Sequence, residues 1–156
     1  MAEPPARGVE VEVGLGEGVA SPVDAAAVER AVRATLLAEG HAAGEVSVAL
    51  LADPAMVELN CEYLGHDRPT DVISFALHGD GEPPLGDVYL GVEQALRQAE
   101  ELGVDPGEEL LRLTVHGTLH VLGWDHPEGE ERLGSDMFRR QEEILRGLLG
   151  SGELRG

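Results

Sequence analysis

Apolar residues recur along the chain in two periods, and the switches between them divide it into elements. Val9, Val11, Val13 and Leu15 alternate with Glu10, Glu12 and Gly14, the pattern of a half-buried strand over residues 9–15. Residues 24–39 carry Ala25, Val28, Val32, Leu36 and Leu37 at helical spacing, and Gly40 supplies the stop. A second strand is expected over 45–52. Asp53-Pro54 then opens a helix that runs to about Tyr63, with Asp as cap and Pro in its first position. A polar loop over 64–69 leads to a buried strand over 71–77 with Val72, Ile73 and Phe75. After the turn HGDGEPP, a further strand at 85–91 forms a hairpin-like antiparallel pair with it.

The second half reads as helical. Residues 92–102 form a helix ending at Gly103. Asp105-Pro106-Gly107-Glu108 approaches a capping box, with the acceptor at the cap, Pro after it and Glu at the third position. The helix it starts is apolar around much of its circumference, with Leu110, Leu111, Leu113, Val115, Leu119 and Leu122, so it should be the most buried. A last helix over 128–149 places Met137, Phe138, Ile144, Leu145 and Leu148 on one stripe, weakened by Gly134-Ser135. The expected fold is a single α+β domain over 1–156, with about four strands packed against about five helices and residues 1–8 frayed. The pattern leaves the strand order beyond the hairpin-like pair open.

Charge changes the picture more than length does. Thirty Asp and Glu face eleven basic residues, giving −19, and every basic residue is Arg. Such a surface repels a polyanion at low salt. Because the acids are spread over the whole chain, they fit a protein that works in concentrated salt, where the Debye length falls to about 3 Å at 1 M. One cysteine, Cys61, rules out an internal disulfide framework and fits a reducing compartment. Its expected role is that of a small buried hydrophobe. The first residues, MAEPPARG, lack an apolar signal core, and no run approaches the roughly 20 apolar residues that span a bilayer. A cytoplasmic, non-membrane protein is expected.

The candidate chemistry lies in VHGTLHVLGWDH, residues 115–126. His116 and His120 are four apart, so a helix projects both from one face. Gly123 can end that helix in a left-handed conformation and let His126 swing back. Three imidazoles converging with a fourth position open is the arrangement of a catalytic Zn²⁺ site, one ion per chain. The spacing is also that of the metzincin peptidases, which place Glu after the first His as general base. Here that position is Gly117, so a peptidase would keep its metal and lose its base.

The string HGTLHVLGWDH resembles the signature H-G-x-L-H-x-x-G-x-D-H of the YbeY-type endoribonucleases, the bacterial ribosomal-RNA maturation factors, with every fixed position filled. A second stretch, LNCEYLGHDRPTDVISF over 59–75, resembles that family's L-N-x-x-Y-R-x-K-D-x-P-T-D-V-L-S-F, and Leu85-Gly86-Asp87 fits its L-G-D strand. The resemblance spans most of 50–149. It implies cleavage of single-stranded RNA, ribosomal RNA above all, with ribosomal protein or GTPase partners, and it leaves the oligomeric state open. It also implies catalytic roles for His116 and His120.

One departure stands out. The family's Arg, implicated in cleavage and suited to holding a phosphate, is here Leu64, and its Lys is His66. Arg68 and His66 are the nearby candidates to take over, Arg68 against the alternative of a solvated loop charge. Asp125 either orients a ligand His or caps the turn. Trp124 shields the site or packs in the core. His41 and His78 have no supporting neighbours. Three other functions stay open: a non-catalytic zinc protein bound to a ribosomal partner, a zinc peptidase, and last an inert metal-binding relic.

Overall fold

The computed structural model describes residues 8–65, 70–124 and 136–150. Strands β1 (Val9–Leu15), β2 (Gly44–Leu51), β3 (Val72–Ala76) and β4 (Leu85–Gly91) form one sheet in the order β1-β2-β4-β3. The first three of that order run parallel, and β3 is antiparallel to β4. The expected hairpin-like pair is therefore present at the sheet edge, and the fold is α+β. The helices are α1 (Ala25–Ala38), α2 (Asp53–Leu59), α3 (Val92–Leu102), α4 (Pro106–Val121) and α5 (Asp136–Gly150).

Local chemistry sets most boundaries. Asp24 caps α1 by accepting from the Ala27 N–H at 2.9 Å. Gly103 ends α3 at φ 68°, a left-handed turn that glycine takes without strain. Asp105 caps α4 by accepting from Glu108 N–H at 3.1 Å, with Pro106 in the first turn. The Glu108 carboxylate turns instead to Arg112, 3.1 Å away, so the box is only half closed.

Three expectations need correction. Asp53 is not the cap of α2: Ala52 takes that place, and Asp53 lies in the first turn, where its carboxylate pairs with Arg97 at 2.9 Å. Nor does α2 reach Tyr63 as one α-helix, because residues Asn60–Leu64 widen into a π-helical turn closed by Gly65 at φ 73°. Cys61 is exposed on that turn, since Asn60 is the residue of the segment that points inward. The predicted final helix is described from Asp136 onward; its first residues, 128–135, lie outside the described part.

Two apolar clusters share α4. One joins Val28, Val32 and Leu36 of α1 to Val46, Val48, Leu50, Val88 and Leu90 of the sheet, with Leu110, Leu113 and Val121 of α4. The other joins Leu111, Val115 and Leu119 to Met137, Ile144, Leu145 and Leu148 of α5. Helix α4 thus packs on β3 and β4 while touching α1, α3 and α5. It is the most buried helix, as its composition requires.

Candidate functional site

Between Leu110 and Val121 every residue of α4 is buried except three: Arg112, His116 and His120. They stand four apart, so they form one stripe along the helix, and that stripe is what remains after sheet and helices cover the rest. The two imidazoles meet edge to face with centroids 4.7 Å apart. His126 and Asp125 lie outside the described residues, as do His66, Asp67 and Arg68. The turn meant to return His126 is present: Leu122 closes the helix and Gly123 follows at φ 99°.

The backbone under the stripe is held unusually close to the sheet. A Cβ at position 117 would come within 2.7 Å of Val88 Cγ1, 2.9 Å of Val72 Cγ2 and 3.0 Å of Ser74 Oγ. The Ser74 hydroxyl donates to the Gly117 carbonyl at 2.9 Å. At the next turn, a Cβ on Gly86 would strike the Val121 side chain at 2.6 Å. Position 117 therefore has no room for the glutamate a metzincin base needs. Its glycine is a packing requirement, and the histidines on either side of it along the stripe, His116 and His120, are each partly buried.

A cleft of about 550 Å³ opens beside the stripe, lined by Asp71, Arg112, His116, Phe138, Gln141 and Glu142 among others. Its polar wall is a connected network. Arg112 bridges Glu142 at 2.8 Å, Glu109 at 2.8 Å and Glu108 at 3.1 Å. Burial alone would pull its guanidinium down, but the bonds to these three carboxylates outweigh that and raise its pKa above the usual Arg range. Gln98 donates a further bond to Glu109 at 3.1 Å. Arg112 neutralises part of this wall and has its donors committed. On the other side of α4, Trp124 packs into the second cluster and donates Nε1–H to Glu39 at 2.7 Å, which Arg140 also grips at 2.6 Å. Trp124 is thus a structural residue.

Sequence reasoning missed Arg112 and Gln141. Arg112 is detectable as the residue one turn before His116. Gln141 carries no such signal, because it reaches the site from α5, placing its Oε1 2.6 Å from His116 Nδ1. His78, expected to be alone, joins the ends of the β3–β4 connection by accepting from Leu85 N–H at 3.0 Å. Leu64 ends the π-helical turn.

The donor set fits a zinc ion. Two imidazoles converge at helical i, i+4 spacing, and the Nδ1 of one is already engaged by a side-chain oxygen, the usual second contact of a ligating histidine. Among the described residues no third His, Cys, Asp or Glu completes a ligand cluster with them. The third ligand expected from the sequence is His126.

The sequence profile of the family described as Endoribonuclease YbeY matches residues 19–149. The endoribonuclease YbeY of Bacillus licheniformis is 45% identical over 132 residues, covering 77% of this chain and 82% of that protein. The Chloroflexus aurantiacus endoribonuclease YbeY is 41% identical over 145 residues, 86% of this chain and 92% of its own. In three dimensions, the solution structure of a Thermotoga maritima protein superposes with a TM-score of 0.62 at 26% identity, covering 95% of each chain.

Proposed function

Because the chain belongs to the YbeY family of endoribonucleases, we propose that it is an endoribonuclease cutting single-stranded RNA with a zinc ion held by His116, His120 and His126, and that its substrate is ribosomal RNA during maturation. The observation that carries the reading is the half-exposed histidine pair on an otherwise buried helix, inside an intact HGxLHxxGxDH string. When bound, zinc lowers the pKa of its water towards ~7 and stabilises charge on phosphoryl oxygens.

The chain's own residues do the rest. His116 and His120 hold the ion from the rigid side, their helix clamped to the sheet by the Gly117 contact. The cleft beside His116 is where the sugar–phosphate chain would enter. Its wall is acidic, and Arg112 there is committed to three carboxylates, so holding the phosphate falls to a cation elsewhere. Leu64 cannot serve; of the two candidates beside it in the sequence, Arg68 and His66, the proposal assigns the phosphate to Arg68, whose guanidinium is always charged. Duplex RNA, stiffer and more highly charged, is a poor substrate for such a site. Ribosomal protein or GTPase partners could supply further positive charge. Among the described residues no helix is long and apolar enough to cross a membrane, and a cytoplasmic location is part of the proposal.

The test is cleavage of single-stranded RNA by zinc-loaded protein beside its variants. His116→Ala, His120→Ala and His126→Ala should each lose most of the zinc, read by elemental analysis, together with cleavage. Arg68→Ala should slow cleavage and Leu64→Arg should raise it. Cutting that persists in His120→Ala removes support for the mechanism. A folded, zinc-loaded chain that cuts no RNA but binds a ribosomal component favours the non-catalytic alternative.

A further inference from the structure

Hydrogen-bond direction can be followed through the cleft wall from one end to the other. A carboxylate oxygen only accepts, and Glu142 Oε2 lies 3.0 Å from Gln141 Nε2. The amide NH₂ of Gln141 therefore faces Glu142, and its oxygen faces the other way, towards His116. That oxygen lies 2.6 Å from His116 Nδ1. Since an amide oxygen also only accepts, Nδ1 must carry the proton, and a neutral ring protonated there has its lone pair on Nε2. Gln141 itself has little freedom to turn. It is 4% exposed, and Glu142 is held from the far side by Arg112 through Nε at 2.8 Å and a terminal nitrogen at 3.3 Å. Arg112 is fixed in turn by Glu108 and Glu109.

We propose that Gln141 is a positioning residue for the metal site: the chain Arg112–Glu142–Gln141 imposes on His116 the Nδ1–H tautomer and the ring orientation that present Nε2 as the ligand atom. This rests on the zinc reading given above and deepens it by naming the residues that prepare a ligand before the ion arrives. An imidazole without such a partner populates both tautomers and turns about its side-chain bonds, so part of the binding free energy would go into ordering it. Arg112 belongs to the same device. It occupies the stripe one turn before His116, yet its donors are spent on Glu142, which orients Gln141, and on Glu108 and Glu109.

The tautomer is read in the metal-free full-length chain from the ¹⁵N shifts and long-range couplings of the His116 ring at mildly alkaline pH, and zinc affinity by competition with a chromophoric chelator. Two variants separate orientation from packing. Gln141→Met keeps length and helix propensity but has no strong acceptor, whereas Gln141→Glu keeps an acceptor at the same place. The wild type should show the Nδ1–H tautomer. Gln141→Met should show a mixture and bind zinc about 10- to 100-fold more weakly, and Gln141→Glu should recover the tautomer and most of the affinity. An unchanged His116 tautomer in Gln141→Met overturns the proposal. So does a Gln141→Glu variant no better than Gln141→Met in both measurements. The tautomer measurement needs no metal: a wild-type chain that fails to take up zinc overturns the metal reading, while the ring spectra still decide whether Gln141 orients His116.

Discussion

The cleft wall and the open face of the sheet are built from the same residue type and behave in opposite ways. In the cleft, Glu108, Glu109 and Glu142 converge on the Arg112 guanidinium, and each carboxylate has a donor within 3.1 Å. On the sheet face turned away from α4, Glu10 and Glu45 stand on neighbouring strands in register, where a protonated Glu45 carboxyl can hydrogen-bond Glu10, with Glu12 close by. That bond and the repulsion behind it push the Glu45 carboxyl above its usual 4.5. Arg33, which lines the same depression as Glu10, Glu12 and Glu45, is spent on Glu29 and the Val9 carbonyl. Net charge conceals this contrast. One group of acids is a preorganised scaffold for a neighbouring histidine, and the other is a solvated surface under mutual repulsion.

The largest effect should come from the contact that seats the histidine stripe. Gly117→Glu pushes a carboxylate against Val88, Val72 and Ser74, and should cost on the order of 4–5 kcal/mol, or prevent folding. A folded variant with an unchanged denaturant midpoint would mean that α4 can lift off the sheet, and the close approach would lose its importance. Arg112→Met comes next. It leaves Glu109, 3% exposed, without its ion pair while Gln98 still donates to it. Chemical denaturation should therefore show a loss of about 2–3 kcal/mol, below the full cost of an unpaired buried charge.

Salt acts on the other region. Between dilute and molar KCl the melting temperature should rise by several degrees, because screening relieves the exposed carboxylates and leaves the buried network almost untouched. A flat or falling curve removes the saline-host explanation of the acid excess. The smallest effect separates the two regions most directly. An acid whose pKa is raised on folding favours the native state only while protonated, so the Glu45 contribution is present below about pH 4.5 and is lost as pH rises through its raised value. Glu45→Gln should consequently raise the melting temperature at neutral pH by ~1–2 °C, with the gain closing towards pH 4. Loss of stability on removing this charge, as for Arg112, would erase the difference between the two regions.

Much of the fold is legible because its causes are local. The cap at Asp105, the stop at Gly103 and the turn at Gly123 act within a few residues, so the start and end of α4 can be read before any tertiary contact is known. Asp53 misled for the complementary reason. Asp-Pro is a sound opening signal, but Arg97 and Glu93, both in α3, claimed its side chain and its N–H. Cys61 looked like a core residue by type and is exposed because the π-helical turn carries it outward.

The sequence by itself determined that His116 and His120 share one helix and face the same way, that a glycine follows that helix three residues before His126, and that the helix bearing the pair is buried. Periodicity and turn chemistry depend on neighbours in the chain, and neighbours are what a sequence lists. Only the tertiary structure decided which edge of α4 stays open and that Gly117 is small because the sheet lies against it. It also decided that Arg112 is occupied by glutamates and that Gln141, 25 residues on, orients His116. Those facts depend on which surfaces pack together and how closely, and the spacing of residues along one helix carries no information about the side chain that another helix will bring to it.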